Sequence, residues 1–304
     1  MDKIAFVFSG QGAQHPGMGA SLYNTSFAAK EMMDILESVR PGTKRQCFFG
    51  TEEELKDTNN TQPCVFAVSM MAAAAVNECG IMPAALAGFS LGEITALTQG
   101  GAFPVSDGMR LVTRRGEIMA ETVRNANSSM VAVMKLDANE VGRLASEFEQ
   151  VYPVNYNCPE QIVVAGETEA LKLFCEAVKA VGGRTIPLKV AGGFHSPFMD
   201  TAAENFKWEL ENYSPDPLVI PVWSNLNAEP YENDIKNTLT DQMRSPVRWQ
   251  ETIERMVNSG INIFIELGPG KTLKSLIEKC TDRAVAFNVD GEESLRQVCA
   301  QIGK

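Results

Sequence analysis

Histidine is scarce in this chain: only His15 and His195 occur in 304 residues, so any chemistry that needs an imidazole must use one of these two. Clustered cysteine is missing as well. The seven thiols (Cys47, Cys64, Cys79, Cys158, Cys175, Cys280 and Cys299) are odd in number and scattered, and they form no Cys-x-x-Cys pair. That pattern argues against a metal site and against disulfides, and the expectation is reduced core thiols in a cytosolic protein. There is no basic run. A net charge of −11 argues against a nucleic-acid partner, while leaving room for a local basic patch. Long apolar runs are absent too. The amino-terminal stretch through Phe8 is too short for a signal-peptide core or a membrane span and is expected to be the first buried strand. No repeat, heptad run or low-complexity tract is found. The chain is expected to be a monomeric cytoplasmic protein without membrane contact.

What is present is enough apolar material, 44% of the residues, for one large α/β domain or for a large domain carrying a smaller one. Short apolar strands alternate with helical patterns from the start. Strand 3–8, helices over 27–39 and 62–78, and the apolar run 83–89 argue for a largely parallel sheet covered on both faces. Between residues 128 and 190 the rhythm becomes strand, helix, strand, strand, helix, strand, which is the ferredoxin-like βαββαβ unit. We therefore divide the chain into a discontinuous catalytic domain, 1–127 with 191–304, and a subdomain over 128–190. The junctions are Asn125-Ala126-Asn127-Ser128-Ser129 and Ala191-Gly192-Gly193. The large domain resumes with a helix over 199–212, a strand over 218–224, helices over 235–243 and 249–259, a strand over 263–267 and a last helix pair.

The strongest local signal is Gly88-Phe89-Ser90-Leu91-Gly92, placed where the 83–89 run gives way to helix-forming residues. This is the pattern of a nucleophile elbow, in which small flanking residues allow a sharp strand-to-helix turn that exposes a serine oxygen. The helix start offers the N–H of Leu91 to a developing oxyanion. The loop Gly10–Gly19 lacks the ending of a P-loop and the spacing of a dinucleotide fingerprint. It follows the first strand, where the N–H of Gln11 would supply a second oxyanion donor. Of the two histidines, His195 lies in the glycine-hinged return from the inserted unit and is the candidate base. His15 reads as a structural or surface residue. No acid stands out as a partner for His195, and a backbone carbonyl can fix the same tautomer. On the helix that begins near Ser106, Arg115 falls on the face of Leu111, Val112, Ile118 and Met119, whereas Arg114 falls on the polar face. A guanidinium directed inward needs an anion. A buried Asp or Glu and a substrate carboxylate are equally good candidates on geometry alone.

Taken in order and with their spacing, these segments resemble the malonyl-CoA:acyl carrier protein transacylase family over nearly the whole chain. The segments are Gly10-Gln11-Gly12-Ala13-Gln14, Thr61-Gln62-Pro63, Gly88 to Glu93, Arg115-Gly116, Asn155 to Gln161, Phe194-His195-Ser196, Pro246-Val247-x-Trp249 and Glu266 to Gly270. The resemblance implies an α/β-hydrolase-like large domain with a ferredoxin-like small one. It implies that Ser90 is acylated by malonyl-CoA, that His195 is base and then acid, and that Gln11 and Leu91 form the oxyanion hole. Gln242 would orient the histidine through its main-chain carbonyl. Arg115 would take the malonyl carboxylate, with Met119 and Phe194 completing the substrate-binding set, and Phe194 resembles members that prefer malonyl over branched units. The acceptor would be the phosphopantetheine thiol of acyl carrier protein, in the service of fatty acid synthesis, with no cofactor and no metal. Docking candidates on this acidic chain are Lys179, Arg184, Lys189, Lys271 and Lys274. One departure is Phe89, where most of the family has His. Because that position is not the base, activity is expected to survive. The rival readings are an acyltransferase or proofreading acyl hydrolase of a polyketide-type pathway and an inactive carrier- or CoA-binding module.

Overall fold

The structure is a computed structural model, and it describes every residue except Met1, Asn125, Ala191 and Lys304, so the junction residues Asn125 and Ala191 lie outside the described residues. Nine strands are described: β1 (Ile4–Phe8), β2 (Ala85–Gly88), β3 (Ser128–Met134), β4 (Val151–Cys158), β5 (Gln161–Glu167), β6 (Arg184–Pro187), β7 (Val222–Trp223), β8 (Ile263–Leu267) and β9 (Val285–Val289). They form two sheets, one in the order β7-β2-β1-β8-β9 and one in the order β4-β5-β3-β6.

The first sheet is wholly parallel. Parallel strands are covered by their crossover helices on both faces, which is why Ala5, Phe6, Val7 and Phe8 form an unbroken apolar run with no exposure. The Thr58–Glu78 helix is buried nearly all round and is correspondingly apolar on every side. Register places Phe8 opposite both Gly88 and Leu267, so the three central strands end at one level. Ser9, Phe89 and Gly268 therefore leave the sheet side by side at its carboxyl edge, where open α/β sheets collect ligands. Glu266, buried at the end of β8, accepts from Ser9 Oγ at 3.2 Å and from the Lys274 N–H at 2.8 Å. It thereby ties the Thr272–Cys280 helix to that edge.

The second sheet is antiparallel and has the strand order of a ferredoxin-like unit. Its two-residue periodicity sorts the side chains. Val131 and Val133 face the core shared with the Ala138–Ala145 and Thr168–Ala180 helices, while Met130 and Ala132 face the main core of the chain. Reciprocal bonds tie β4 to the segment before the Trp249–Asn258 helix, with Tyr156 N–H to Val247 O at 2.9 Å and Val247 N–H to Val154 O at 2.8 Å.

Three expectations need correction. The strand over 218–224 is only Val222–Trp223, because Pro217 and Pro221 supply no ladder donors. The end of the chain is not simply a helix pair. Between the Thr272–Cys280 and Glu292–Ile302 helices runs β9, which pairs in register with β8 and closes that edge. The thiols are not all free, since Cys79 and Cys299 form a disulfide across 220 residues with Cα atoms 6.0 Å apart. Cys79 caps the 58–78 helix and Cys299 lies on the last helix, and the two helices pack together. A separation that long leaves no trace in the sequence. Closing such a loop stabilises by about 5 kcal/mol in the chain-entropy account. Alkylation of the denatured, unreduced protein should label the five free cysteines, and prior reduction should raise the count to all seven. Labelling of seven without reductant would show that the bridge does not form.

Candidate active site

Ser90 sits between the end of β2 and the Leu91–Gln99 helix with φ 55° and ψ −106°, a backbone conformation that few non-glycine residues adopt. Three side-chain contacts hold it there. Asn225 accepts from the Ser90 N–H at 2.7 Å and donates to Gly88 O at 2.7 Å, and Gln242 Nε2 donates to Ser90 O at 2.8 Å. The flanking glycines are required by contact. A Cβ on Gly88 would lie 1.9 Å from Gly92 O, and one on Gly92 would lie 2.2 Å from Phe8 O. Phe89 packs the edge of its ring against Trp249, with centroids 5.6 Å apart, so an apolar contact fills this side of the elbow.

The Ser90 oxygen lies 2.7 Å from Nε2 of His195. Nδ1 of the same ring lies 2.9 Å from the main-chain oxygen of Gln242. A carbonyl can only accept, so Nδ1 carries the proton and Nε2 is the free acceptor for the serine hydroxyl. No acid is needed to set this tautomer. Burial pushes the His195 pKa down to about 4, and the charge of Arg115 adds to the effect against the main-chain acceptors at Gln242 and Ser245. The ring is therefore neutral at physiological pH and able to take a proton. His15, by contrast, is exposed, with Nδ1 3.1 Å from Pro16 O and no part in this cluster.

Arg115 is 1% exposed, and among the described residues no carboxylate touches its guanidinium. Its partners are amide and hydroxyl oxygens: Gln62 Oε1 at 3.0 Å, Gln242 Oε1 at 3.0 Å and Ser90 Oγ at 3.2 Å. Burial lowers its pKa to about 10, so it remains a cation. The choice left open by helix geometry, between an internal acid and an anionic ligand, thus turns toward the ligand. Arg114 pairs with Glu117 and Glu209 on the surface.

Ser90, His195 and Arg115 open onto a cavity of about 90 Å³ that Gln11, Met119 and Phe194 also line. It is smaller than the ~150 Å³ void that accepts benzene, so it admits a short acyl group. A larger cavity of about 230 Å³ shares Gln11, Phe89, Asn155 and Leu188 with it and runs toward the 272–280 helix. Leu91 is the first residue of its helix, so its N–H has no intrahelical acceptor, and Gln11 follows β1 on the other side of the cleft. Three residues for which sequence reasoning supplies no role, Gln62, Glu93 and Asn225, hold this site together. Gln62 appears there only as part of a motif, Glu93 directly follows the elbow glycine, and nothing in the sequence marks Asn225.

A strained serine on an elbow, a histidine fixed by a carbonyl and a guanidinium without an acidic partner beside them define a class: serine enzymes that pass an acyl group through a covalent ester. Similarity to known proteins agrees with that class. Residues 5–298 match the model of the acyl transferase domain family. The chain is 38% identical to the malonyl CoA-acyl carrier protein transacylase of Bacillus subtilis, over 97% of this chain and 96% of that protein. It is 35% identical to the enzyme of that name from Synechocystis, over 92% and 94%. The crystal structure of a malonyl CoA-acyl carrier protein transacylase from Clostridium perfringens superposes with a TM-score of 0.95 at 35% identity, covering 99% of this chain and 97% of that one. A malonyl-transacylase solved in complex with a type II PKS acyl-carrier protein superposes with a TM-score of 0.94 at 32% identity, covering 98% and 99%. The chain belongs to the acyl transferase domain family.

With only two imidazoles in the chain, the protonation of His195 can be observed directly. Nitrogen-15 spectra at pH 6 should show one buried ring that is neutral and protonated on Nδ1. A doubly protonated His195 at that pH would contradict this geometry. Replacement of either elbow glycine by alanine should abolish acylation of Ser90, because a backbone oxygen occupies the place of the new methyl group. Retained acylation in Gly92→Ala would mean that the elbow is looser than these contacts require.

Proposed function

We propose that this protein transfers the malonyl group of malonyl-CoA to the phosphopantetheine thiol of acyl carrier protein through a malonyl-Ser90 ester. The observation that carries the reading is the buried guanidinium of Arg115, which lies 3.2 Å from the nucleophile and has neutral partners. A malonyl group whose carboxylate rests on Arg115 brings its thioester carbonyl to Ser90 Oγ. His195 takes the hydroxyl proton as the C–O bond forms, and the N–H groups of Gln11 and Leu91 hold the oxyanion. Collapse breaks the C–S bond, His195 returns the proton to sulfur, and CoA leaves as the thiol. The carrier thiol then attacks in the reverse sense, giving up its proton to His195 and restoring the Ser90 hydroxyl. The nucleophile, the base and the oxyanion donors of this cycle are all groups of the chain, and the proposed reaction uses no resident cofactor.

Met119 and Phe194 bound the acyl pocket, and its size suits malonyl over longer chains. The larger adjoining cavity gives the pantetheine arm a route to solvent. Leu188 and Thr272 line that route, and their neighbours Lys189 and Lys271 are exposed and lack an acidic partner among the described residues, which suits an acidic carrier protein. Among the described residues no helix is long and apolar enough to cross a membrane. We place the protein in the cytoplasm with its CoA thioester substrate, and the Cys79–Cys299 bridge is the one feature that runs against this.

Incubation with malonyl-CoA should give a covalent malonyl adduct by intact mass, and Ser90→Ala should give none. Arg115→Ala should lower kcat/KM for malonyl-CoA roughly a hundredfold, which corresponds to the loss of about 3 kcal/mol from a desolvated charge pair. Its effect on the slow reaction with acetyl-CoA should be far smaller. Equal losses with the two thioesters would remove Arg115 from carboxylate recognition.

A further inference from the structure

One buried acid has no part in the acyl-transfer cycle. Glu93, in the first turn of the elbow helix, has no exposure and no cation in contact. Its carboxylate gathers donors from two separate segments. Oε1 accepts from the Tyr231 hydroxyl, and Oε2 accepts from Gln242 Nε2 at 3.0 Å and from the Asn225 N–H at 3.2 Å. Both Asn225 and Gln242 also hold the Ser90 backbone.

The Gln242 amide makes the arrangement directional. Its two N–H bonds are used by Ser90 O at 2.8 Å and by Glu93, so its oxygen must face Nη2 of Arg115 at 3.0 Å. A turned amide would set its NH₂ against the guanidinium and its oxygen against the carboxylate. An ionised Glu93 forbids that orientation. The main chain of the same residue accepts the bond that orients His195. We propose that Glu93 is a positioning residue for acyl transfer, acting through Gln242 and Asn225 on the Ser90 backbone, the His195 ring and the Arg115 guanidinium. This rests on the acyl-transfer reading of the site.

Burial pushes the Glu93 carboxyl up to about 7, against donors at Tyr231, Gln242, Asn225 and Ser224. The other titratable or charged groups facing this cluster are Tyr231 itself, whose own ionisation burial raises far out of range, Arg115 across Gln242, and His195 beyond Ser90. Protonation of Glu93 turns one acceptor into a donor and releases Gln242. Because burial keeps His195 neutral down to about pH 4, a fall in activity near pH 7 would be assigned to Glu93 and not to the imidazole.

The test is the pH profile of Ser90 acylation by malonyl-CoA, read by quenched-flow intact mass. Wild type should fall with a one-proton slope below about pH 7. Glu93→Gln, which keeps the size of the side chain, should be at least tenfold slower at pH 8 and flat down to pH 5.5. Combined with Gln242→Ala, it should lose no more than the worse single variant. Tyr231→Phe keeps the carboxylate but removes one donor, so it should move the wild-type limb to higher pH. A Glu93→Gln enzyme within twofold of wild type, a retained limb, multiplied losses, or an unmoved limb in Tyr231→Phe would each overturn the inference. If wild type forms no malonyl adduct, the acyl-transfer reading itself fails, and that outcome is distinct from all of these.

Discussion

The placement of a permanent positive charge inside the protein, with only neutral oxygens to meet it, is the constraint around which this structure is arranged. Arg115 sits on the apolar face of its helix, where burial disfavours its charge by several kcal/mol in the absence of an anion. Gln62 and Gln242 offset part of that penalty without neutralising the cation. The arrangement is poised for a carboxylate of matching shape, and a substrate without one leaves the penalty in place. The same charge lies across Ser90 from His195 and contributes to holding the imidazole weakly basic. On the proposed function, a carboxylate on Arg115 would cancel that influence, which would couple recognition to activation of the base through one guanidinium.

The second requirement is rigidity at the nucleophile. A serine at φ 55° persists only where its surroundings over-determine it, and here the determination comes from several directions. Gly88 lets the elbow helix start close over the end of β2, and Gly92 lets that helix approach β1. Asn225 comes from the turn after β7, and Gln242 from the end of the Ile235–Gln242 helix. Two segments that follow residue 190 thus help to hold a turn formed far earlier in the chain. His195 also has a positive φ, 60°, at the return from the inserted unit, so the serine and the histidine are both fixed in conformations that few non-glycine residues adopt.

Legibility in the sequence follows the range of each interaction. The elbow, the alternation of strands and helices, the βαββαβ unit and the inward face of Arg115 are local patterns, governed by turn sterics and by periods of 2 and 3.6 residues. Each is legible in a short stretch of residues. What escapes is long in range or carried by the backbone. The clamp from Asn225 spans 135 residues, the contact between Glu93 and Gln242 spans 149, and the Cys79–Cys299 bridge spans 220. β9 escapes because five residues between two helices carry a weak signal, and Leu218–Ser224 reads as a longer strand than it is unless its proline is weighed. Gln242 shows both cases: its carbonyl is expected from a family resemblance, whereas the role of its side chain emerges only from the fold.

The most direct measurement is a crystal structure of the protein with malonyl-CoA, using Ser90→Ala to hold the substrate unreacted. The malonyl carboxylate should lie on the guanidinium of Arg115 in two parallel hydrogen bonds, with the thioester carbonyl beside residue 90 and its oxygen toward the N–H groups of Gln11 and Leu91. A carboxylate directed to solvent or held by another cation, with Arg115 still bound only to Gln62 and Gln242, would contradict it.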